Sequence, residues 1–257
     1  MIQTFSSFYY GHTIDETNQF LGFKEGAGLE IKATLNVGDY SLTDFATEVV
    51  RAMNEVGSLD YSYSINRSTR IITIIGSGNF TLLAGSSAYL GSSCWPLLGF
   101  SSDTTSAGSH SATSASGLVW IPQMKAQSYV PFEHQISSVD GVVKKSASGE
   151  IEAVSYGKEY IADMEFMFIT DVIQNNDCIL KSDANGVANA LDFLGYITEK
   201  KTIEFNPDLN NPSVFYKCVL DRTAESQDGL SFKLKEMYSR GLPGYYETGI
   251  LKFRLVQ

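Results

Sequence analysis

Between Leu29 and Leu83 the sequence changes its hydrophobic period twice, and that switching limits the possible folds more than any other feature. Leu29-Glu-Ile-Lys-Ala-Thr-Leu35 alternates as a half-buried strand and runs into Asn36-Val-Gly-Asp-Tyr40, a turn. Ser41 then opens a helix, and Asp44 three residues on makes a near capping box. Leu42, Phe45, Ala46, Val49, Val50 and Met53 follow the i, i+3, i+4, i+7, i+8, i+11 spacing of one apolar stripe, and Gly57 is a suitable stop. Tyr61–Ile65 and Arg70–Ile75 alternate again and are joined by Asn66-Arg-Ser-Thr69 as a hairpin. Gly76-Ser-Gly78 reads as a further hairpin turn before a third short strand, Phe80-Thr-Leu-Leu83. Trp95-Pro-Leu-Leu-Gly-Phe100 supplies bulk to cover one face of the sheet. The result is a compact α+β module in the order strand, helix, strand, strand, strand.

Residues 101–116 are nearly all Ser, Thr, Ala and Gly. Such a stretch buries too little apolar area to offset its ordering entropy, so it reads as a loop or linker. Beyond it the runs Leu118–Pro122, Gln135–Val143, Glu150–Val154, Tyr160–Ile169, Thr202–Phe205, Val214–Asp221, Leu230–Met237 and Thr248–Val256 read as strands. One helix is expected among them, from an Asp183 N-cap through Leu194, with Gly195 ending it. The fold class expected is therefore mainly β (α+β). An N-terminal module spans 1–106, a Ser/Thr/Gly-rich linker or loop 107–117, and an antiparallel β-sandwich or barrel with one helix 118–257. Residues 1–28 could pair with either part, and in the second case the module from about residue 29 is an insertion in the β domain.

Chemistry is harder to find. The chain has 19 basic against 29 acidic residues, a formal net charge of −10, which argues against a phosphate-binding face. Residues 1–106 hold 5 basic and 10 acidic side chains, so no basic domain hides in one half. Cys94, Cys178 and Cys218 are far apart, and with only three histidines (His12, His110, His134) a four-ligand zinc site is excluded; the thiols read as isolated and buried. The opening MIQTFSSFYYGHTIDE has neither a basic nor an apolar signal region, and no run has the length of a membrane span, so a cytoplasmically made protein with no membrane partner is expected.

Gly76-Ser-Gly78 lacks the third glycine and the helix of a dinucleotide fingerprint. His110 falls in the low-complexity loop, His12 in a Gly-His turn and His134 near a strand start, so each reads as a surface or turn residue rather than a general base. Asp163 and Glu165 share a strand face about 7 Å apart, a spacing open to an inverting glycosidase but equally that of one wet face. Asp183-Ala-Asn-Gly186 has its Gly too early and no closing Glu for a calcium loop, and reads as a helix cap. Asn66-Arg-Ser68 and Asn79-Phe-Thr81 match the glycosylation sequon without a secretory signal. No residue is assigned a catalytic, cofactor-binding or metal role. Trp95 and Trp120 could stack on sugars, although both lie in apolar contexts.

The run Ala33-Thr-Leu-Asn-Val-Gly-Asp-Tyr-Ser41, with Phe45-Ala46 and Met53-Asn54, resembles a module recurring in structural proteins of tailed bacteriophages. There a Gly-x-Tyr-Ser turn precedes an amphipathic helix that closes on a Met/Leu-Asn pair. Tyr61–Ile65, Thr69–Ile75, Phe80–Leu83 and Leu98-Gly-Phe100 fit the same pattern. Val119-Trp-Ile-Pro122, Ile203-Glu-Phe-Asn-Pro-Asp208, Phe215-Tyr216 and Leu251-Lys-Phe-Arg254 are similar to the sandwich of tail-tip and baseplate proteins of the distal-tail type. The resemblance implies a non-enzymatic virion component without cofactors. It would assemble as a homo-oligomeric ring, usually a hexamer, and dock on neighbouring tail tube, hub or fibre proteins. A carbohydrate- or receptor-binding module of a virion is the alternative, and a neck, head–tail connector or decoration protein a third.

Overall fold

The first strand alternates between two environments, and this couples the two halves of the molecule. In a computed structural model of the chain, the described residues are 7–120, 133–138, 141–145, 148, 151–155, 158–167, 169, 189–207, 211, 213–223, 226 and 234–256. β1 (Ser7–Tyr9) sends Phe8 into one hydrophobic core and Tyr9 into another, as the period of two in a strand dictates.

The N-terminal module follows with β2 (His12–Ile14), β3 (Phe20–Glu25), β4 (Ile31–Thr34) and β5 (Gly38–Tyr40). Next come helix α1 (Leu42–Val56), β6 (Tyr61–Asn66), β7 (Ile71–Leu82) and β8 (Ala107–Ser111). The α1 stripe is buried as expected: Leu42, Phe45, Ala46, Val49 and Met53 pack on Phe23, Tyr61, Ile72, Ile74 and Phe80 of the sheet. Ser41 caps it, its Oγ accepting from Asp44 N at 3.2 Å. Gly57 closes it in an extended rather than left-handed conformation.

Three expectations change here. Asn36–Tyr40 is not only a turn, because β5 pairs with β2. Gly76-Ser-Gly78 is not a hairpin turn either. β7 runs through it as one strand of 12 residues, with β6 against its first half, β3 against its last residues and β8 along the opposite edge. The register shift between Ile75 and Phe80 shows that the glycines accommodate an irregularity within the strand. The Ser/Thr-rich linker also contains an ordered strand. β8 pairs with β7 and His110 is buried in it, so small residues here serve close strand packing rather than freedom.

The C-terminal part comprises β9 (Val119–Trp120), β10 (Glu133–Ser138), β11 (Gly141–Lys145), β12 (Ile151–Ser155) and β13 (Lys158–Glu165). After them come α2 (Ala190–Thr198), β14 (Ile203–Asn206), β15 (Tyr216–Arg222), β16 (Lys235–Glu236), β17 (Tyr246–Glu247) and β18 (Ile250–Leu255). Seven strands form one antiparallel sheet in the order β10-β13-β18-β15-β14-β1-β9. One face carries Phe8, Phe205, Cys218, Leu220, Phe253 and Met164 beneath α2, which buries Ala190, Phe193, Leu194 and Ile197 against it. Phe8 sits at the centre, with ring centroids 4.6 Å from Phe193 and 4.8 Å from Phe205.

The run expected as one strand over Gln135–Val143 is two, β10 and β11, in different sheets. Only Lys235–Glu236 of Leu230–Met237 is described as strand. The helix begins later than expected and continues past Gly195. Asn189 accepts from Leu191 N and Asp192 N while the Asp192 carboxylate accepts from Asn189 N, a reciprocal box that sets the start; burial of Ile197 draws the last turn beyond the glycine. Asp183–Gly186 lies outside the described residues.

The chain is thus mainly β, an α+β fold. β1 and β9 are antiparallel neighbours and Tyr10 N donates to Leu118 O at 3.0 Å, so the module leaves and rejoins the large sheet at one neck. Residues 7–9 belong to the large sheet and 20–25 to the module, which makes the module an insertion.

Candidate functional site

Two features meet where the module joins the large sheet: a buried acid–base network and an open groove. The network begins with Glu204 on β14, on the sheet face opposite α2 and fully buried. One carboxylate oxygen accepts from Thr43 N at 2.7 Å and lies 2.8 Å from Ser41 Oγ; the other accepts from Arg67 Nη2 at 2.5 Å. Glu204 therefore caps α1 from another part of the chain, placing a negative charge where the first-turn N–H groups and the helix dipole favour one. The Ser41 hydroxyl also lies 2.7 Å from Asp44 Oδ2, and its single proton serves one carboxylate at a time. Arg67, at the tip of the β6–β7 hairpin, lies over the rings of Phe215 at 3.9 Å and Tyr9 at 4.8 Å. Lys217, beside Glu204 in the β14–β15 register, pairs with Asp44. The network ties helix, hairpin and sheet together and makes no approach for a substrate.

The groove, about 1040 Å³, runs between the neck and α2. Tyr10 and Tyr196 stack along it with centroids 4.5 Å apart, and the Tyr196 hydroxyl accepts from Gly11 N at 3.0 Å. Pro96, Leu97 and Leu118 form the opposing apolar wall, while Asp192, Glu199 and Lys201 supply charge at the rim. Burial pushes the Tyr196 hydroxyl up to about 12. It also raises the Asp192 carboxyl, partly offset by the Asn189 N–H. His12 reaches the groove from β2. Its Nε2 lies 3.0 Å from Ser116 Oγ, which donates to Leu97 O at 2.8 Å, so Nε2 carries the proton. Burial lowers its pKa to about 4, leaving a neutral imidazole at pH 7. Apolar walls, an aromatic stack and a few rim charges suit a neutral polar ligand better than an anion.

Of the residues considered from the sequence, His12 lines the groove and the other described ones fall elsewhere. His12 is not a turn residue but packs on Phe45 at 4.7 Å, and His110 is bonded through Nε2 to Phe80 O at 2.9 Å, so neither is loosely placed. The side chain of His134 lies outside the described residues, as do Cys178 and the side chain of Trp120. Asp163 and Glu165 do share a face of β13, but Asp163 pairs with Lys252 at 3.3 Å across the sheet. Cys94 and Cys218 are buried free thiols held up in pKa by that burial. Trp95 is fully buried with its indole N–H donating to Gly22 O at 3.0 Å, so it is not available to a sugar. Asn66 and Asn79 lie in β6 and β7. Among the described residues there is no cluster that could hold a metal ion.

Sequence reasoning missed Glu204, Arg67 and the Tyr10–Tyr196 stack. An acidic residue alternating with Ile203 and Phe205 looks like any wet strand face, and Tyr10 and Tyr196 are separated by most of the chain. The chain matches no protein-family model and no curated protein.

Proposed function

We propose that this chain is a non-enzymatic structural subunit of a tailed-phage virion, of the tail-tip or baseplate type, acting by self-association and by docking on neighbouring tail proteins. The observation that carries this reading is the use made of a buried ion pair. Glu204 and Arg67, which a catalyst would present to a substrate, are spent on locking the inserted module against the large sheet. A locked insertion gives a subunit one rigid outline, and rigid surfaces lower the entropy lost on docking. The resemblance in Ala33–Ser41 and the segments after it supplies the virion context. The test is mass spectrometry and electron microscopy of purified particles: the chain should be present in multiple copies in a ring at the tail tip. Its absence from particles overturns the reading.

A second reading, a saccharide-binding module, is favoured by the half-buried Tyr196 ring, held in the groove by its stack on the buried Tyr10. It predicts saturation-transfer NMR signals from a neutral oligosaccharide that weaken in Glu199→Gln; a glycan array without hits removes it.

A further inference from the structure

β6, β7 and β8 lie side by side, and none of their residues is Asp, Glu, Lys or Arg. Their inner face is covered by α1 and the module core. The outer face is open, with cross-strand rows Ser62–Ile75–Ser109 and Ser64–Thr73–Ser111. The four serines are exposed, and so is Ile75, a large apolar side chain in the middle of the face. Water-facing strands of an antiparallel sheet take up polar residues, and here the polar residues are Ser, Thr and Asn, so the face is neutral in a chain with a net charge of −10.

We propose that this outer face is the surface through which copies of the chain associate. The proposal deepens the structural-subunit reading and rests on its assumption that the chain self-associates. Electrostatics selects the occupant. Two copies of an acidic protein repel, and contact is cheapest where no carboxylate must be desolvated or brought near another. The other described faces carry charge: Glu48, Arg51 and Glu55 on α1, and Asp163 and Lys252 on the large sheet.

Size is compatible as well. All three strands run together only over residues 71–76 of β7, a neutral face of roughly 15 Å by 20 Å, which is the centre of an interface whose ~800 Å² per partner takes in the surface around it. The face also continues to an edge. Among the described residues β8 pairs only with β7, and it contains neither the lysine nor the proline that usually blocks edge pairing. Hydroxyl rows already bond across strands, as Thr73 Oγ1 and Ser111 Oγ do at 2.8 Å, and can do so between copies.

The test is analytical ultracentrifugation of the full chain across a concentration series at low and high salt. Wild-type protein should associate, and more strongly at high salt, where repulsion between copies is screened. The double variant Ser64→Glu/Ser111→Glu should weaken association at least tenfold, whereas Ser64→Thr/Ser111→Thr and the remote Tyr238→Glu should leave it unchanged. Near-ultraviolet circular dichroism of each variant verifies that it is folded. If the wild type associates and the charged pair does not weaken it, the assignment of this face is overturned while self-association stands. If the wild type is monomeric at hundreds of micromolar in high salt, a second copy is not the occupant. The virion reading is then decided separately by the composition of particles.

Discussion

Arg67 and Glu204 show how one buried pair fixes the relation between two parts of a chain. Each charge loses hydration on folding, and Glu204 regains it from Arg67, Thr43 N–H and the α1 dipole. Removing one partner leaves the other charge buried without its counterion. Arg67→Met should therefore lower stability by about 3–5 kcal/mol, and Arg67→Met/Glu204→Leu should recover much of that loss, both read from urea midpoints. His12 gives a pH-dependent prediction. Its folded pKa of about 4 lies below the unfolded value of 6.5, so between these the unfolded state binds more protons and stability falls as pH falls. The melting temperature should drop from pH 6.5 toward 5, above the range where ordinary carboxylates titrate, and His12→Gln should flatten that drop. An unchanged slope in the variant would assign the effect to another group.

At the level of elements, α1 was legible because a stripe of six apolar residues and a serine cap state a helix locally. The start of α2 was not, because Asp183 and Asn189 are both acceptable caps and the choice rests on the Asn189–Asp192 reciprocity and on where Phe193 finds its pocket. Asn189→Ala should cost about 1 kcal/mol, measured by thermal melts. β7 misled because Gly-Ser-Gly usually turns a chain back, whereas here it makes an irregularity inside one strand, with β6 paired up to Gly76 and β3 from Phe80 on one edge and β8 paired on both sides of the irregularity on the other. The neck depends on glycine in a way the sequence does not signal. A Cβ on Gly11 would lie 1.6 Å from Tyr40 O, and Gly117 has φ +66 with a Cβ position 3.0 Å from Tyr10 O. Gly11→Ala should destabilise by ~3 kcal/mol or more, because backbone rather than a flexible side chain must move.

For the molecule as a whole, β1 is the shared part. With Phe8 in one core and Tyr9 in the other, neither core can open without disturbing the strand between them. The full chain should unfold in one calorimetric transition, and Glu204→Ala should separate it into two by releasing the module from the sheet. The sequence by itself determined the local outcomes: the α1 stripe, the β6–β7 hairpin, the alternation of the C-terminal strands and the absence of zinc-type cysteine spacing. These depend on neighbours a few residues apart, which hydrophobic period and turn chemistry encode directly. Tertiary structure alone decided that β1 and β9 make the module an insertion, that the Ser-rich stretch forms a strand, and that Glu204 caps a helix 161 residues away. In each case the deciding partner is distant in the chain. The energy comes from desolvation and pairing on folding, which no local pattern of residues records.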